Sequence, residues 1–426
     1  MTAQQLITGS PRASEQATDP LASPATAVET ARAHVAGAAL TPDEGGRVGL
    51  ELEYHLIDLA DPGRRPTWQE VVALGAELPP LPSKSPVTFE PGGQVELSTP
   101  PGDDVVSAVA ALRADGAALR SALRVAGYGA VPLGSDLARP VRRTNPHPRY
   151  SAMELHFDAL GCAGSGQAMM TATAALQVNL DAGPREGWAA RLDLIRALVP
   201  VLVALSSTSP WLGGTTSGWH SMRQGTWQGI DHGRSDPLPL GEPTEAWATY
   251  ALDAPVMLVR DGEDLRPVKA RVPFGDWLRG DAPLDRRPTL DDLDYHLSTL
   301  FPPVRPRGYL ELRCLDAMPD RWWPALAAVT VTLVDDPVAA DQALELCAPV
   351  ADAWEAAARD GLGDPAVRRA VVGCLELAAS RCPAPLADEV AGLVDLIASG
   401  SSPSAELRQR IEQSGPLAVL REEADV

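Results

Sequence analysis

The chain has 426 residues, a formal net charge of −20 and 45% hydrophobic residues. This length and apolar content are enough for one large domain or two ordinary ones. The negative charge argues against nucleic acid or an anionic membrane surface as a partner. The most apolar run, residues 197–205, is too short to span a bilayer, so we expect a cytoplasmic protein without a membrane partner.

Composition divides the chain into three parts. Residues 1–24 are polar, lack the apolar core of a signal sequence and are expected to be a disordered lead-in. We expect a catalytic sheet-and-helix domain over residues 25–319, and a helical cover packed on the same domain over residues 320–426. The five cysteines include no C-x-x-C pair, so we predict neither disulfides nor a zinc site.

The segment 49–56, Gly-Leu-Glu-Leu-Glu-Tyr-His-Leu, has the alternation of a β-strand. Its leucines and tyrosine lie on one face, while Glu51, Glu53 and His55 lie on the other. A strand that faces solvent would show the same pattern, so this segment alone leaves both interpretations open.

The same alternation recurs in three later segments. A Pro-Gly-Gly turn predicts two joined strands over Phe89–Ser98, and single strands are predicted at Leu176–Asp181 and Tyr309–Cys314. Their polar faces carry carboxylates, amides and one arginine: Gln94 and Glu96, Gln177 and Asn179, Glu311 and Arg313. Cys314 falls on the apolar face and is expected to pack in the core.

Other elements follow from helical or strand periodicity. We predict helices over 25–40, about 103–126 and 186–205, the last with a possible kink at Pro200. Strands are expected over 128–133 and 165–175, with a hairpin at Asp261-Gly262 and an irregular basic connection over 142–150. From Asp320 onward the pattern is helical, with predicted helices over 322–334, 338–359, 366–381, 386–398 and 406–411.

If the polar strand faces line one concave sheet, at least four glutamates converge there. Converging carboxylates repel each other and become partly protonated unless a cation neutralises them. All-oxygen ligand sets suit Mg²⁺ or Mn²⁺ rather than zinc. The pattern therefore predicts a carboxylate-lined metal site, with a surface or structural role as the alternative for each glutamate.

This combination of residues indicates phosphoryl transfer from a nucleotide. Arg313 would neutralise the charge that develops in the transition state, and Gln177 and Asn179 would orient a polar small molecule. Arg223 lies in the long Gly- and Trp-rich segment 209–234 and could bind a carboxylate through two hydrogen bonds. Together these residues suggest that a carboxylate is activated as an acyl phosphate and then attacked by an amine.

Six motifs in order carry a resemblance to a known family: Val48–Glu53, Phe89–Ser98, Pro148–Met153, Gln177–Asp181, Ser221–Trp227 and Tyr309–Arg313. With these motifs the chain resembles the plant-type glutamate–cysteine ligases, and within them the actinobacterial branch that opens ergothioneine biosynthesis. The resemblance implies an α+β, glutamine-synthetase-like fold, in which a curved, mostly antiparallel β-sheet forms a funnel with helices outside. It also implies ATP-dependent joining of L-glutamate to L-cysteine through γ-glutamyl phosphate, with Mg²⁺ as cofactor and Mn²⁺ as a substitute.

The resemblance also assigns roles by motif position. The metal-binding set would be Glu51, Glu53, Glu90, Glu96 and Glu311. Glutamate would be held by Gln177, Asn179 and Arg223, the transferred phosphate by Arg313, and the entrance would be lined by Arg149 and Tyr150. Trp219 and Trp227 are candidates for the pocket wall, with core packing as the alternative, and His55 is a candidate general base.

Four other functions remain open at this point. The same chemistry could serve a different amine acceptor, or phosphate could be transferred to a guanidino compound on a similar sheet. A non-catalytic amino-acid-binding paralogue should lack a metal glutamate or Arg313, and all of these are present. A metal-dependent hydrolase would not need Arg223 and Arg313.

Overall fold

The computed structural model describes residues 21, 23, 25–262 and 264–425. The lead-in predicted over residues 1–24 lies outside the described residues except for Leu21 and Ser23. None of the described helices combines the length and the apolar composition that crossing a membrane requires.

Eleven β-strands are present in the described chain. In order they are β1 Val48–Asp58, β2 Val87–Phe89, β3 Val95–Ser98, β4 Tyr128–Val131, β5 Ala175–Leu180, β6 Trp211–Leu212, β7 Thr215–Thr216, β8 Leu258–Asp261, β9 Asp264–Pro267, β10 Val304–Pro306 and β11 Leu310–Asp316. The hairpin predicted at Asp261-Gly262 is confirmed as β8–β9.

Seven of these strands form one sheet in the order β10-β11-β5-β1-β3-β2, with β4 also paired to β1. Every pairing in this sheet is antiparallel. Strand β1 is the centre, because β3 and β5 pair with its residues 48–54 and β4 pairs with its residues 55–58. The four segments with alternating polar residues are therefore neighbours in one sheet, as the sequence predicted.

The described residues also form seventeen α-helices. They are α1 Ala27–Ala39, α2 Trp68–Glu77, α3 Val105–Val125, α4 Pro148–Ala159, α5 Ala163–Ala172, α6 Trp188–Ser206, α7 Met222–Gln228, α8 Pro243–Asp253, α9 Phe274–Arg279, α10 Leu290–Leu297, α11 Trp323–Asp335, α12 Pro337–Cys347, α13 Trp354–Asp360, α14 Pro365–Arg381, α15 Ala387–Ala398, α16 Pro403–Ser414 and α17 Pro416–Ala424. The predicted α+β class with an antiparallel sheet and outer helices is confirmed.

The apolar sheet face and the helices share one core. Leu50 and Leu52 of β1, with Cys314 of β11, are almost completely buried. They belong to one hydrophobic cluster with residues of α3, α6, α11 and α14. This cluster includes residues of C-terminal helices, as expected for a cover formed by residues 320–426. The domain boundary after residue 319 remains a prediction.

Three local predictions are wrong. Residues 165–175 were expected to be a strand, but Ala163–Ala172 form helix α5, because the run is rich in the helix formers Ala and Met and β5 begins only at Ala175. The basic connection ends earlier than expected, since α4 begins at Pro148, a residue type favoured at the first helical position. The helix predicted over 338–359 is divided into α12 and α13 by a turn that contains Pro349.

Candidate active site

A cavity of about 280 Å³ lies over the polar face of the sheet. Most of the predicted site residues line it: Glu51, Glu53, Glu90, Glu96, Glu311, Gln177, Arg149, Tyr150, Arg223, Arg313 and Trp227. The pairing of the strands brings them together, because Glu53 lies opposite Glu96 and Glu51 lies opposite Gln177. Directly opposite residues on one face are in side-chain contact range.

We call Glu51, Glu53, Glu90 and Glu96 the carboxylate wall. Each is only partly exposed inside the cavity. Glu51 accepts hydrogen bonds from Asn179 Nδ2 at 2.8 Å and from Gln177 Nε2 at 3.1 Å. Burial, followed by repulsion from Glu96 and Glu311, raises the pKa of Glu51 to about 7.

The other members of the carboxylate wall are perturbed in the same direction. Burial and the charge of Glu53 raise the pKa of Glu96 to about 7, although Thr88 and Ser98 donate hydrogen bonds to it at 2.9 and 3.2 Å. Burial also raises the pKa of Glu53, and burial with three neighbouring glutamates raises that of Glu90 well above its ordinary value. The wall therefore carries more negative charge than its protein surroundings stabilise.

These residues fit a divalent cation chemically, because carboxylates that repel each other in a buried site are stabilised by a positive ion. In the part of the chain that the structure describes, however, no three His, Cys, Asp or Glu side chains already converge at metal-binding distances.

Glu311 has different partners from the carboxylate wall. Arg305 binds it in bidentate fashion, with Nε 2.5 Å from Oε2 and Nη2 3.0 Å from Oε1, and Arg313 Nη1 lies 3.3 Å from Oε1. Although burial alone would raise it, Arg313 and Arg305 lower the pKa of Glu311 to about 2. A carboxylate so neutralised by arginine is the least suited of the five predicted glutamates to bind a metal.

Arg223, Arg313 and Trp227 line the same cavity as the carboxylate wall and present unpaired donors. Arg223 Nη2 donates to the Arg313 carbonyl at 2.8 Å, and Arg313 Nη1 donates to Gln177 Oε1 at 2.5 Å. Arg223 Nη1, Arg313 Nε and Trp227 Nε1 are buried without a hydrogen-bond partner in the described chain. Buried donors of this kind are satisfied by the oxygens of a bound carboxylate or phosphate.

A buried aspartate holds Arg223 in place. Asp316 accepts hydrogen bonds from Ser209 Oγ at 2.6 Å and from Ser221 Oγ at 2.8 Å, and its Oδ1 lies 4.0 Å from Arg223 Nη1. Ser221 is also the N-cap of α7, the helix that carries Arg223. Gly134 leaves room for Asp316, because a Cβ at residue 134 would lie 2.4 Å from Asp316 Oδ2.

The C-terminal helices anchor the same loop. The backbone N–H groups of His220 and Ser221 donate to the Ala358 carbonyl at 3.0 and 2.8 Å. From α16, Arg408 Nη2 donates to the Trp219 carbonyl at 2.6 Å. The position of Arg223 therefore depends on Ala358 and Arg408, which lie more than one hundred residues C-terminal to it.

Glu90 is positioned by the predicted Pro-Gly-Gly turn. Gly92 packs against helix α5 so closely that a Cβ would lie 2.2 Å from the Thr171 carbonyl oxygen. Gln94 Oε1 accepts a hydrogen bond from Gly92 N at 3.0 Å, and Gln94 Nε2 donates to the Thr173 carbonyl at 2.9 Å. The turn therefore requires glycine at residue 92 and fixes the strand end that carries Glu90.

Three predicted residues lie elsewhere. His55 is buried against β4, where its Nε2 lies 3.1 Å from the Leu133 carbonyl, and burial lowers its pKa to about 4. It does not line the cavity, so its proposed role as a base has no structural support. Asn179 donates a hydrogen bond to Glu51 and is not among the residues that line the cavity. Trp219 packs against the main core.

Arg149 and Tyr150 lie in the first turn of α4 at the cavity. Arg149 donates to Ser298 Oγ and the Ser298 carbonyl at 3.1 and 3.0 Å, and its guanidinium lies 4.9 Å from the Tyr295 ring centroid. Burial raises the pKa of Tyr150 to about 12, so its hydroxyl stays protonated at neutral pH.

Sequence reasoning missed other residues that line the cavity: Arg305, Arg307, Phe301, Met153, Met169 and Met170. Arg305 could have been predicted, because it precedes Glu311 by only six residues and an arginine so close in sequence can pair with a carboxylate. The methionines gave no such signal, because methionines on helices are ordinarily part of the core.

Comparisons with known proteins show the family of the chain. The model of the glutamate-cysteine ligase family 2 matches residues 47–423. The chain is 51% identical over 402 residues to the glutamate–cysteine ligase EgtA of Mycolicibacterium smegmatis. The alignment covers 93% of this chain and 95% of the relative. It is 50% identical over 389 residues to the enzyme of the same name from Mycobacterium tuberculosis, with 90% of each chain covered.

More distant proteins share parts of the chain or its fold. The chloroplastic glutamate–cysteine ligase of Medicago truncatula is 31% identical over 62% of this chain and 53% of its own. A crystal structure of the glutamate–cysteine ligase of Francisella tularensis in complex with AMP has a TM-score of 0.51 at 12% identity, covering 90% of this chain and 88% of that one.

Taken with the antiparallel sheet and the acidic and basic groups of one cavity, these matches define an acid–amine ligase scaffold. The chain belongs to the glutamate-cysteine ligase family 2.

Proposed function

We propose that the protein is an ATP-dependent glutamate–cysteine ligase that forms γ-glutamylcysteine. The observation that carries this proposal is the presence, in one cavity, of the carboxylate wall and of the unpaired donors of Arg223, Arg313 and Trp227. Phosphoryl transfer needs a cation for the phosphates and fixed donors for the anionic acceptor; the carboxylate wall would bind the cation, and the unpaired donors would bind the acceptor. The relatives that match nearly the whole chain bear the same activity in their names.

In the first step, an oxygen of the glutamate γ-carboxylate attacks the γ-phosphorus of ATP, which releases ADP and leaves γ-glutamyl phosphate. Arg223 and Trp227 would bind the carboxylates of glutamate, while Arg313 would neutralise the transferred phosphoryl group. The carboxylate wall would hold Mg²⁺, or Mn²⁺ in its place, which supplies charge neutralisation at the phosphate oxygens.

In the second step, the cysteine nitrogen attacks the acyl carbon, phosphate leaves, and the nitrogen loses a proton. An acyl phosphate is reactive enough that the enzyme needs mainly to position the amine. We further propose that the enzyme acts in the cytoplasm, where ATP and reduced thiols are available, and that its product feeds ergothioneine biosynthesis as the sequence resemblance implies.

The test is release of ADP and phosphate from ATP and Mg²⁺ with glutamate, with cysteine and other amines supplied in turn. We expect turnover with glutamate plus cysteine, and loss of about 100-fold or more in Arg313→Ala and Glu53→Ala, because each removes a group that acts on the transferred phosphate. Arg113→Ala and Glu389→Ala are matched controls, since these residues pair with each other on the exposed surface.

The outcomes separate the alternatives. Equal turnover with a diamine would keep the acyl phosphate chemistry but overturn cysteine as the acceptor. Binding of glutamate without turnover with any amine would indicate a non-catalytic amino-acid-binding protein.

A further inference from the structure

Arg65 contacts the Pro-Gly-Gly turn from the loop between β1 and α2, and it does not line the cavity. Its side chain is only 8% exposed. Nη1 donates to the Gly92 carbonyl and to the Thr171 carbonyl, both at 3.2 Å. Nη2 donates to Asp136 Oδ2 at 2.7 Å and to the Pro140 carbonyl at 3.2 Å. One side chain therefore joins the turn, the end of α5 and the loop that follows β4.

Asp136 connects Arg65 to the central strand of the sheet. It is completely buried, and the Nε and backbone N–H groups of Arg139 donate to it at 2.9 and 3.0 Å. Arg139 Nη1 in turn donates to the Leu56 carbonyl of β1 at 2.8 Å. Although burial alone would raise it, Arg139 and Arg65 hold the pKa of Asp136 below its ordinary value. Asp136 is therefore ionised at neutral pH and binds both arginines to the sheet.

Glu90 depends on its backbone more than the other members of the carboxylate wall do. Glu51 and Glu96 accept hydrogen bonds from neighbouring side chains, and Glu53 Oε2 accepts one from Ala175 N at 2.9 Å. Within the described chain no hydrogen bond reaches the Glu90 carboxylate, although its backbone N–H and carbonyl are both bonded within the turn. The position of this carboxylate is therefore set by the backbone of the turn.

We propose that Arg65 is a positioning residue for the metal site, and that it holds the turn where the Glu90 carboxylate can bind the cation. This inference rests on the proposed ligase function and adds to its site a residue from outside the cavity. Among the described residues, Arg65 is the only hydrogen-bond donor to the Gly92 carbonyl. Loss of a group that orients a metal ligand without touching the metal typically weakens metal binding by about 10- to 100-fold.

Arg65→Lys tests the proposal through metal binding, without any turnover. Lysine keeps the positive charge beside Asp136 but lacks the planar fork that reaches the Gly92 and Thr171 carbonyls at the same time. We expect the Kd of the substrate-free enzyme for Mn²⁺, measured from the electron paramagnetic resonance signal of the free ion, to rise about tenfold or more. An unchanged Kd would overturn the proposal.

Arg191→Lys is the matched control. Arg191 donates to Asp335 Oδ1 at 2.6 Å and to the Val334 carbonyl at 3.4 Å, its side chain is 15% exposed, and it does not line the cavity. The substitution removes the same forked contacts to a carboxylate and a carbonyl, but no member of the carboxylate wall depends on them. The Kd for Mn²⁺ should therefore stay within about twofold of the wild-type value. An equal rise in both variants would overturn the proposal.

Steady-state kinetics separate a positioning role from general damage to the site. In Arg65→Lys the Mg²⁺ concentration that gives half the maximal rate should rise about tenfold, and excess Mg²⁺ should restore kcat to within about threefold of the wild-type value. The KM for glutamate should stay within about twofold, because Arg223 keeps its own contacts. A loss of kcat that excess Mg²⁺ does not restore would contradict the assigned role.

Hydrogen exchange of the wild-type protein gives a test that needs no variant. The Glu90 N–H donates to the Gln94 carbonyl and the Gly93 N–H to the Glu90 carbonyl, both at 2.9 Å. If Arg65 holds the turn before a metal binds, these amides should be protected in the metal-free protein, and Mn²⁺ should slow their exchange by less than about twofold. Protection that appears only with Mn²⁺ would show that the metal orders the turn, and would overturn the proposal.

The results distinguish this inference from the function on which it rests. A wild-type protein that neither binds Mn²⁺ nor turns over with any amine would overturn both. Wild-type turnover and Mn²⁺ binding, with an unchanged Kd in Arg65→Lys, would overturn the positioning role alone. If Arg65→Lys fails to fold, Asp136→Asn takes its place, because the new amide can still accept from the Arg139 N–H but cannot accept from both arginines. The same rise in the Kd for Mn²⁺ is expected, and the hydrogen-exchange result decides if neither variant folds.

Discussion

Replacement of Glu96 by glutamine is expected to stabilise the metal-free protein at pH 8. Glu96 Oε1 accepts hydrogen bonds from both Thr88 and Ser98, so the glutamine carbonyl can take over these bonds and its amide can occupy the position of Oε2. The substitution therefore removes the negative charge and preserves both hydrogen bonds. It also removes a member of the carboxylate wall, so ligase activity should fall.

The magnitude follows from the pKa of Glu96, which rises from 4.5 to about 7 on folding. Because the folded state holds the proton more tightly, wild-type stability decreases as the pH rises from about 4.5 to about 7. One pKa unit corresponds to about 1.4 kcal/mol, so the variant should gain about 3 kcal/mol at pH 8 and less than about 1 kcal/mol at pH 5.

The assay is urea unfolding at pH 8 and pH 5 in the presence of a chelator. Glu311→Gln is the matched control of opposite sign, because arginines lower the pKa of Glu311 to about 2. Its contribution is present above pH 4.5 and lost as the pH falls toward 2, so Glu311→Gln should destabilise the protein at pH 8. Loss of stability in Glu96→Gln at pH 8, or a gain that does not depend on pH, would refute this reasoning.

Two further predictions concern the arginine side of the cavity and His55. Arg223→Lys keeps the charge but loses the planar guanidinium group, which can donate two parallel hydrogen bonds to a carboxylate. In initial-rate assays the KM for glutamate should therefore rise about tenfold or more, while the KM for ATP should change little. A rise in the KM for ATP with an unchanged KM for glutamate would contradict the assignment. His55→Gln can keep the hydrogen bond to the Leu133 carbonyl, and because His55 does not line the cavity, the pH profile of kcat should be unchanged. A shifted profile would restore His55 as a candidate base.

The central part of the sheet could be predicted from the sequence, because the two-residue periodicity of a strand determines which residues share a face. Glu51, Gln177 and Glu311 were assigned to one surface before any pairing was known, and the strand order then placed them side by side. His55 shows the limit of this reasoning. It has the correct parity, but the C-terminal half of β1 pairs with β4, where the same face is buried under other residues.

Residues that reach the cavity from helices were not predictable in the same way. Met153 and Met170 have the ordinary spacing of buried helical residues. That they also line the cavity follows only from the tertiary packing of α4 and α5. Helix α5 was itself mistaken for a strand, because a short apolar run does not distinguish the two structures by periodicity. Arg305, a partner of Glu311, likewise depends on β10, a strand of three residues that follows Pro302-Pro303 and ends at Pro306.

The anchoring of the Arg223 loop has a consequence for synthesis on the ribosome. The carboxylate wall is encoded within the first hundred residues, whereas Arg408 follows the carbonyl that it binds by 189 positions. Chains emerge N-terminus first, so the acidic half of the cavity is translated long before its basic half can be held in place. An unfinished chain is therefore not expected to consume ATP, and activity should appear only when α13 and α16 have emerged and packed.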